Sequence, residues 1–352
     1  MKLGGADGHH VNKVNKGKMS AAKTKVEDIS LQQLQPLDCP KNESEITENW
    51  RGDKIIVSIL CPTYQHESFI QDAMDGFLAQ VTRYRFEILV RDDASSDCTP
   101  EIITKYAQRF PNIVRSTLES QNHWPITRPA YILRKSALGK YIATCEGDDY
   151  WTDRYKLQKQ VDFMETNLDC VMSHHEFVNV IVDEGKAKPT VFDEKVGVPI
   201  DSPRVCTRVY RNVFSDWPKG LEKALNGDHA TSFYLKAYGT FKKAPGISPS
   251  VRRVHAKGIW STKSKLEKAE MLASTWATVA EAYKGSDRYK EATLRKEISE
   301  YNLNRTKLTL VKSSGEFFAI QLRLIGLLSK PRVGASVARN RLTRLVKRVL
   351  RW

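Results

Sequence analysis

Hydrophobic residues first gather in a short β-branched block, Ile55-Ile56-Val57-Ser58-Ile59-Leu60-Cys61, closed by Pro62, as expected of a buried parallel strand. An amphipathic stretch follows, with Phe69, Ala73, Phe77 and Leu78 on one face. A second block, Phe86-Glu87-Ile88-Leu89-Val90, runs into Arg91-Asp92-Asp93. Thr99-Pro100 opens a helix through Ile102, Ile103, Tyr106 and Phe110, with proline in its first turn. The pattern predicts a third strand over 113–118, a helix over 131–138 and a fourth strand over 141–145 that ends in Glu146-Gly147-Asp148-Asp149. Strands alternating with helices over short connections predict an α/β fold, a mostly parallel, Rossmann-like sheet with helices on both faces. Ligands bind such sheets beyond the carboxyl ends of the strands. Two of these ends carry adjacent aspartates.

Beyond the fourth strand the pattern is less regular. Runs at 170–182 and 204–213 read as strands, and Gly227-Asp228-His229 leads into a helix over 230–238. Residues 1–53 are polar and sparse in apolar positions, which predicts a mostly disordered segment with one short helix near Leu31, Leu34 and Leu37. From 262 to 352 the chain reads as a helical, basic extension, so the expected organisation is one α/β domain over 54–261 between these two segments. Phe317 to Leu328 is apolar but too short to span a bilayer. In the last run, Leu342, Leu345, Val346, Val349 and Leu350 recur at helical spacing among arginines and lysines.

Charge sharpens this picture. The 352 residues include 56 Lys and Arg against 41 Asp and Glu, a formal net charge of +15, which favours an anionic partner: nucleic acid, an acidic membrane surface or an anionic small substrate. No acidic residue follows Glu316, so much of the excess sits at the C-terminal end, where a basic amphipathic helix suits either an anionic lipid surface or packing on the rest of the protein. The six cysteines are scattered, with no C-x-x-C pair, and several lie inside apolar runs, the pattern of reduced buried thiols in a cytoplasmic protein. No apolar run of transmembrane length occurs and the polar N-terminus lacks a signal-peptide core, so the expected location is cytoplasmic, peripheral at the cytoplasmic membrane face.

Carboxylates at a strand end accept hydrogen bonds from a nucleobase or ribose. A pair beside a diphosphate holds Mg²⁺ or Mn²⁺, which prefer oxygen ligands. Either aspartate pair alone equally suits a turn that caps the next helix. Both together, after strands of one sheet, point to a shared site. Pro62-Thr63-Tyr64 after the first strand, Arg91-Asp92-Asp93-Ala94-Ser95-Ser96-Asp97 after the second and Glu146-Gly147-Asp148-Asp149-Tyr150-Trp151 after the fourth resemble the family 2 glycosyltransferases of GT-A fold, in particular a bacterial polysaccharide subgroup. Lys156-Leu157-Gln158-Lys159-Gln160 fits the same pattern, and the resemblance covers about residues 55–260.

The resemblance implies an inverting, metal-dependent transfer of a sugar from a nucleoside-diphosphate sugar, a UDP-sugar above all, to an acceptor hydroxyl on a glycan, a polysaccharide or a lipid-linked chain. It implies that Asp93 hydrogen-bonds the base, with Pro62, Thr63, Tyr64 and Asp92 shaping that pocket. Asp148 would contact ribose or donor sugar, and Asp149 would ligate Mn²⁺ or Mg²⁺. His255 would be a further ligand and Arg253 a contact to the diphosphate, within Val251-Arg252-Arg253-Val254-His255. Relatives often carry aspartate where this chain has Glu146, which keeps the charge but reaches farther. Asp228 is the expected base, with Asp216 as its rival and helix capping as its alternative role. Trp151 and Trp260 read either as sugar-stacking or as core residues.

Two other readings remain open from sequence. A sugar nucleotidyltransferase would need a glycine-rich basic loop after the first strand, and Cys61-Pro62-Thr63-Tyr64-Gln65-His66-Glu67 has none. A non-catalytic scaffold binding membrane or nucleic acid would rely on the C-terminal charge alone, and nucleic acid is the less expected partner because that charge lies away from the sheet.

Overall fold

A computed structural model describes residues 34–124, 126–183, 186–190, 203–311 and 314–338. The amphipathic run from Leu342 lies outside the described residues.

The continuous apolar blocks become the centre of the main sheet. Strands β1 (Val57–Thr63), β2 (Phe86–Asp92), β3 (Val114–Leu118) and β4 (Tyr141–Thr144) are mutually parallel in the order β3-β2-β1-β4. Beyond β4 the sheet continues through β8 (Val209–Arg211), β5 (Cys170–His174) and β9 (Thr240–Lys243), with β8 antiparallel to both neighbours. The expected fold class is therefore observed, with one antiparallel strand inside a mostly parallel sheet.

Side chains alternate across β1, and each face has its own cover. Val57, Ile59 and Cys61 join a core built with helices α2 (Ile70–Leu78), α3 (Thr99–Arg109) and α5 (Lys156–Thr166). Leu60 joins the opposite core, with α4 (Pro129–Lys135), α6 (Gly227–Leu235) and α7 (Lys265–Ala282). Trp151 is fully buried on the first face, where its ring meets Phe77 and its Nε1 donates to the Cys206 carbonyl, so it is a core residue.

Several expectations change. The run at 170–182 is two strands in two sheets: the chain leaves β5 at His175-Glu176 and enters β6 (Phe177–Asp183), which lies between β10 (Ser250–Val254) and β7 (Lys186–Thr190) in a three-stranded sheet. The run at 204–213 opens as a 3₁₀ turn, Val205–Thr207, before β8. Residues 34–53 pack against the domain. Helix α1 (Glu43–Thr47), capped by Asn42, buries Ile46, Trp50 meets Phe86 edge-on, and Leu34 is buried beneath Tyr150, whose hydroxyl donates to its carbonyl. A few well-placed apolar side chains suffice to order a segment whose average composition is polar. The lysine-rich helical stretch after 261 divides into α7 and α8 (Tyr289–Leu308) around Gly285, whose φ of 81° suits glycine, and α9 (Ser314–Leu328) follows. Trp276 and Val279 of α7 share the core of Phe233 on α6, so this extension packs on the α/β domain.

Candidate active site

The end of β1 holds both acidic loops. The Thr63 carbonyl accepts from the Asp93 N–H at 3.0 Å, and the Pro62 carbonyl accepts from the Gly147 N–H at 3.1 Å. The register places Thr63 opposite Asp92, so the loops after β2 and β4 meet on one rim. Gly147 is required by this approach, since a Cβ there would stand 2.8 Å from Thr63 Oγ1 and 2.9 Å from Ile70 Cδ1. Gln65 and Ala94 have left-handed backbone (φ 57° and 63°), an uncommon state for residues with a side chain. The Ser95 hydroxyl joins their turns, accepting from the Gln65 N–H and donating to Asp92, which also accepts from the Ser95 N–H.

Asp93 has a partner that the resemblance did not suggest. It is buried, and its carboxylate accepts from the backbone N–H groups of His123 and Trp124 at 2.9–3.1 Å, with the Arg91 guanidinium 4.0 Å away. It ties the loop carrying Trp124 to the rim, and Tyr64 stands partly exposed beside Thr63.

Glu146, Asp148 and Asp149 form the acidic cluster, each offering an oxygen within 4.8 Å of the others. Asp149 is buried. Burial and the charges of Asp148 and Glu146 push its carboxyl well above the usual range, while its Oδ1 accepts from the Arg253 N–H at 2.9 Å. Glu146 is open to water on one side and surrounded by protein on the others. Burial and the charges of Asp148 and Asp228 raise it to about 7. Burial also pushes Asp148 up, but His66 and His255 outweigh that and hold it below its ordinary value. Three carboxylates this close resist simultaneous ionisation, a conflict that a divalent cation relieves. Asp148 Oδ1 is buried without a hydrogen-bond partner, and the oxygen-only donor set suits Mg²⁺ or Mn²⁺. The residues present therefore fit such an ion.

Two histidines and an arginine support the cluster from behind. His255 Nε2 lies 3.1 Å from Asp148 Oδ2, and His66 Nε2 lies 3.8 Å from the same oxygen while its Nδ1 meets Thr63 Oγ1 at 3.1 Å. His255 thus touches Asp148, and the three-oxygen cluster does not include it. Arg253 donates to the Asp148 carbonyl and pairs with Asp72 of α2, with its guanidinium over Tyr150, so it clamps the acidic loop to α2. A cavity of about 400 Å³ lined by His255, Ser261 and Thr262 adjoins this corner.

Asp228 stands in the first turn of α6, its charge close enough to Glu146 to raise it. Arg208, itself buried, places Nη2 3.7 Å from Asp228 Oδ2. Burial pushes Asp228 up, yet His229 and Arg208 prevail and hold it below the usual carboxylate value. Asn226, just before α6, is held by α7: its N–H donates to Thr275 Oγ1 at 2.9 Å, and that hydroxyl donates to Asn226 Oδ1 at 3.0 Å. Asp216 is exposed and acts on Tyr234, six residues further along α6, about 9 Å from the start of the helix. The structure brings Asp228 to the acidic cluster and Asp216 to the far end of α6.

Sequence reasoning missed His66, Asp72 and Arg208 as parts of this site. Arg208 left a signal, a charge inside a strand-like run that demands a buried partner. His66 and Asp72 left none, because their partners are remote in sequence.

Residues 58–203 match the family model described as glycosyl transferase family 2. A protein of Mycobacterium tuberculosis with no assigned function is 41% identical over 136 residues, 39% of this chain and 38% of its own length. An uncharacterised glycosyltransferase of Mycoplasma genitalium is 31% identical over 100 residues, 28% of this chain and 33% of its own. The chain thus spans well under half the length of the curated relatives it matches. Among solved structures, Staphylococcus aureus TarS 1–349 aligns with a TM-score of 0.54 at 18% identity, covering 80% of this chain and 83% of that one. The same protein in complex with UDP-GlcNAc aligns at 0.52 and 16%, covering 78% and 80%. At these identities the likeness is one of fold.

Proposed function

We infer that this chain, which carries a family 2 glycosyltransferase domain, transfers a sugar from a nucleoside-diphosphate sugar to an acceptor hydroxyl with inversion at the anomeric carbon. The observation that carries this reading is the meeting of two acidic loops on the end of β1, one bearing Asp92 and Asp93, the other an oxygen triad with an unpartnered Asp148 Oδ1. A uridine diphosphate sugar is the favoured donor, in line with the UDP-GlcNAc held by the structurally similar TarS.

Pro62, Thr63, Tyr64 and Asp92 border the base and ribose, and Asp93 completes that wall through the Trp124 loop it holds. Glu146, Asp148 and Asp149 would hold Mn²⁺ or Mg²⁺, which when bound offsets the negative charge gathering on the departing diphosphate. Arg253 and His255 keep the acidic loop in place from behind. Asp228, kept ionised by Arg208, takes the proton of the acceptor hydroxyl as that oxygen bonds to the anomeric carbon and the bond to the diphosphate oxygen breaks. The acceptor is a glycan or lipid-linked hydroxyl, and the acid-free, basic C-terminal stretch favours work at the cytoplasmic face of a membrane.

The test is a panel of nucleotide sugars with Mn²⁺, assayed for released nucleoside diphosphate. Release from at least one donor, abolished by a chelator and restored by added Mn²⁺, is expected. Undiminished release in chelator would remove the metal role, and conversion of the nucleotide sugar with added pyrophosphate to a nucleoside triphosphate and a sugar 1-phosphate would mark a nucleotidyltransferase.

A further inference from the structure

We propose that the outer face of α9 docks on an anionic lipid surface. This inference deepens only the membrane placement in the reading above and does not depend on the transfer chemistry. Helix α9 is apolar on two sides. Its inner side packs on α8 through Ile320, which is 8% exposed, with Leu324 and Leu327 half-buried. Its outer side presents Phe317 (44% exposed), Phe318 (66%), Leu322 (56%), Ile325 (60%) and Leu328 (38%). At about 100° per residue these five fall within an arc of about 140°, so they form one stripe. Leu310, 57% exposed, lies just before the helix. A surface helix ordinarily turns charged and polar residues outward. A stripe of exposed aromatic and aliphatic side chains, broken by the one amide of Gln321, marks a surface that something else covers.

Charge identifies the occupant. From Phe317 to Trp352 the sequence has nine lysines and arginines and no aspartate or glutamate. Arg323 on α9 and Arg332 just beyond it are exposed, while Lys330 between them pairs with Glu297 of α8. A second copy of the chain would bring two such acid-free stretches together, and like charges oppose that contact. Anionic headgroups attract the same residues while the apolar stripe enters the acyl boundary. The helix has 15 residues, about 22 Å, and no helix among the described residues is long and apolar enough to cross a membrane. α9 is therefore suited to lie in the plane of the surface, with Phe317 and Phe318 at one end and Leu328 at the other.

The experiment is sedimentation of the full chain with vesicles of phosphatidylcholine alone and of phosphatidylcholine mixed with phosphatidylglycerol. Phe318→Asp/Ile325→Asp and, separately, Leu322→Asp are compared with the unaltered chain. All three side chains are exposed, so the variants should keep the thermal melt and the donor hydrolysis of the unaltered chain. Pelleting only with the anionic vesicles, weakened about tenfold or more in each variant, is the expected result. Absence of pelleting, or equal pelleting of the variants, would overturn the proposal. So would a concentration-dependent dimer by light scattering that the same substitutions dissolve, because the stripe would then belong to a second copy. Donor hydrolysis, read on the same samples, reports on the transferase reading separately.

Discussion

His255 Nε2 lies 3.1 Å from Asp148 Oδ2, a contact across 107 residues that joins the end of β10 to the loop after β4. It fixes one oxygen of Asp148 and leaves the other, Oδ1, buried and without a partner. A residue that orients a ligand from behind controls metal affinity. His255→Ala should raise the Mn²⁺ concentration for half-maximal turnover about 10- to 100-fold, with a smaller change in turnover at saturating Mn²⁺. Superimposable Mn²⁺ titrations of the variant and the unaltered chain would contradict this.

Asp228→Asn removes the proposed proton acceptor without changing the shape of α6. Turnover should fall about 10²- to 10⁴-fold while calorimetry shows the donor still bound. Because Arg208 and His229 hold the carboxyl below its ordinary value, Arg208→Met should raise it. Protonation would then silence the base at a higher pH, so the acid limb of the pH–rate profile should move upward. An unmoved limb would separate Asp228 from the proton transfer.

Gly147→Ala should be costly out of proportion to one methyl group. The added carbon would stand 2.8 Å from Thr63 Oγ1 and 2.9 Å from Ile70 Cδ1, forcing the acidic loop off the end of β1. A loss of about 1–3 kcal/mol in urea unfolding is expected, together with weakened donor binding. Wild-type donor affinity in this variant would show that the loop tolerates displacement.

Lys156 offers a test of stability against pH. It is fully buried at the start of α5, donates to Gln160 Oε1 at 2.6 Å and lies over the Trp151 ring, and burial pulls it down to about 7. The unfolded side chain titrates at about 10.4. Below the folded value both states carry the proton and the burial penalty is complete. Between the two values only the unfolded state binds it, so stability rises with pH by up to about 1.4 kcal/mol per unit. Lys156→Met should flatten that rise in denaturant melts taken across the window. An unchanged slope would assign it to other groups.

The parts of the fold legible in the sequence were those carried by local pattern. β1, β2 and β4 are continuous apolar blocks, and the acidic loops follow them directly, so the local pattern alone puts Asp92, Asp93, Asp148 and Asp149 on one rim. The order of Ile46, Trp50 and Leu34 was not legible, because each fits a slot made by residues distant in sequence. The division of residues 170–182 between two sheets was hidden for a related reason: both halves are apolar, and only tertiary pairing with β9 and β10 separates them. The partners of Asp93 illustrate the limit most directly. Adjacency named the residue, but the His123 and Trp124 amides that occupy it lie 30 and 31 residues on and carry no motif.

The paired bonds between Asn226 and Thr275 bear on how far the working unit extends. The stretch that matches the family ends at residue 203, before Arg208, Asp228 and His255, and the prop for the first turn of α6 comes from α7, later still. A chain trimmed to the matching stretch would lose the proposed proton acceptor outright. One trimmed just ahead of α7 would keep Asp228 but unseat it. Chimaeras that exchange tails between sister proteins should therefore carry α6 and α7 across as one piece.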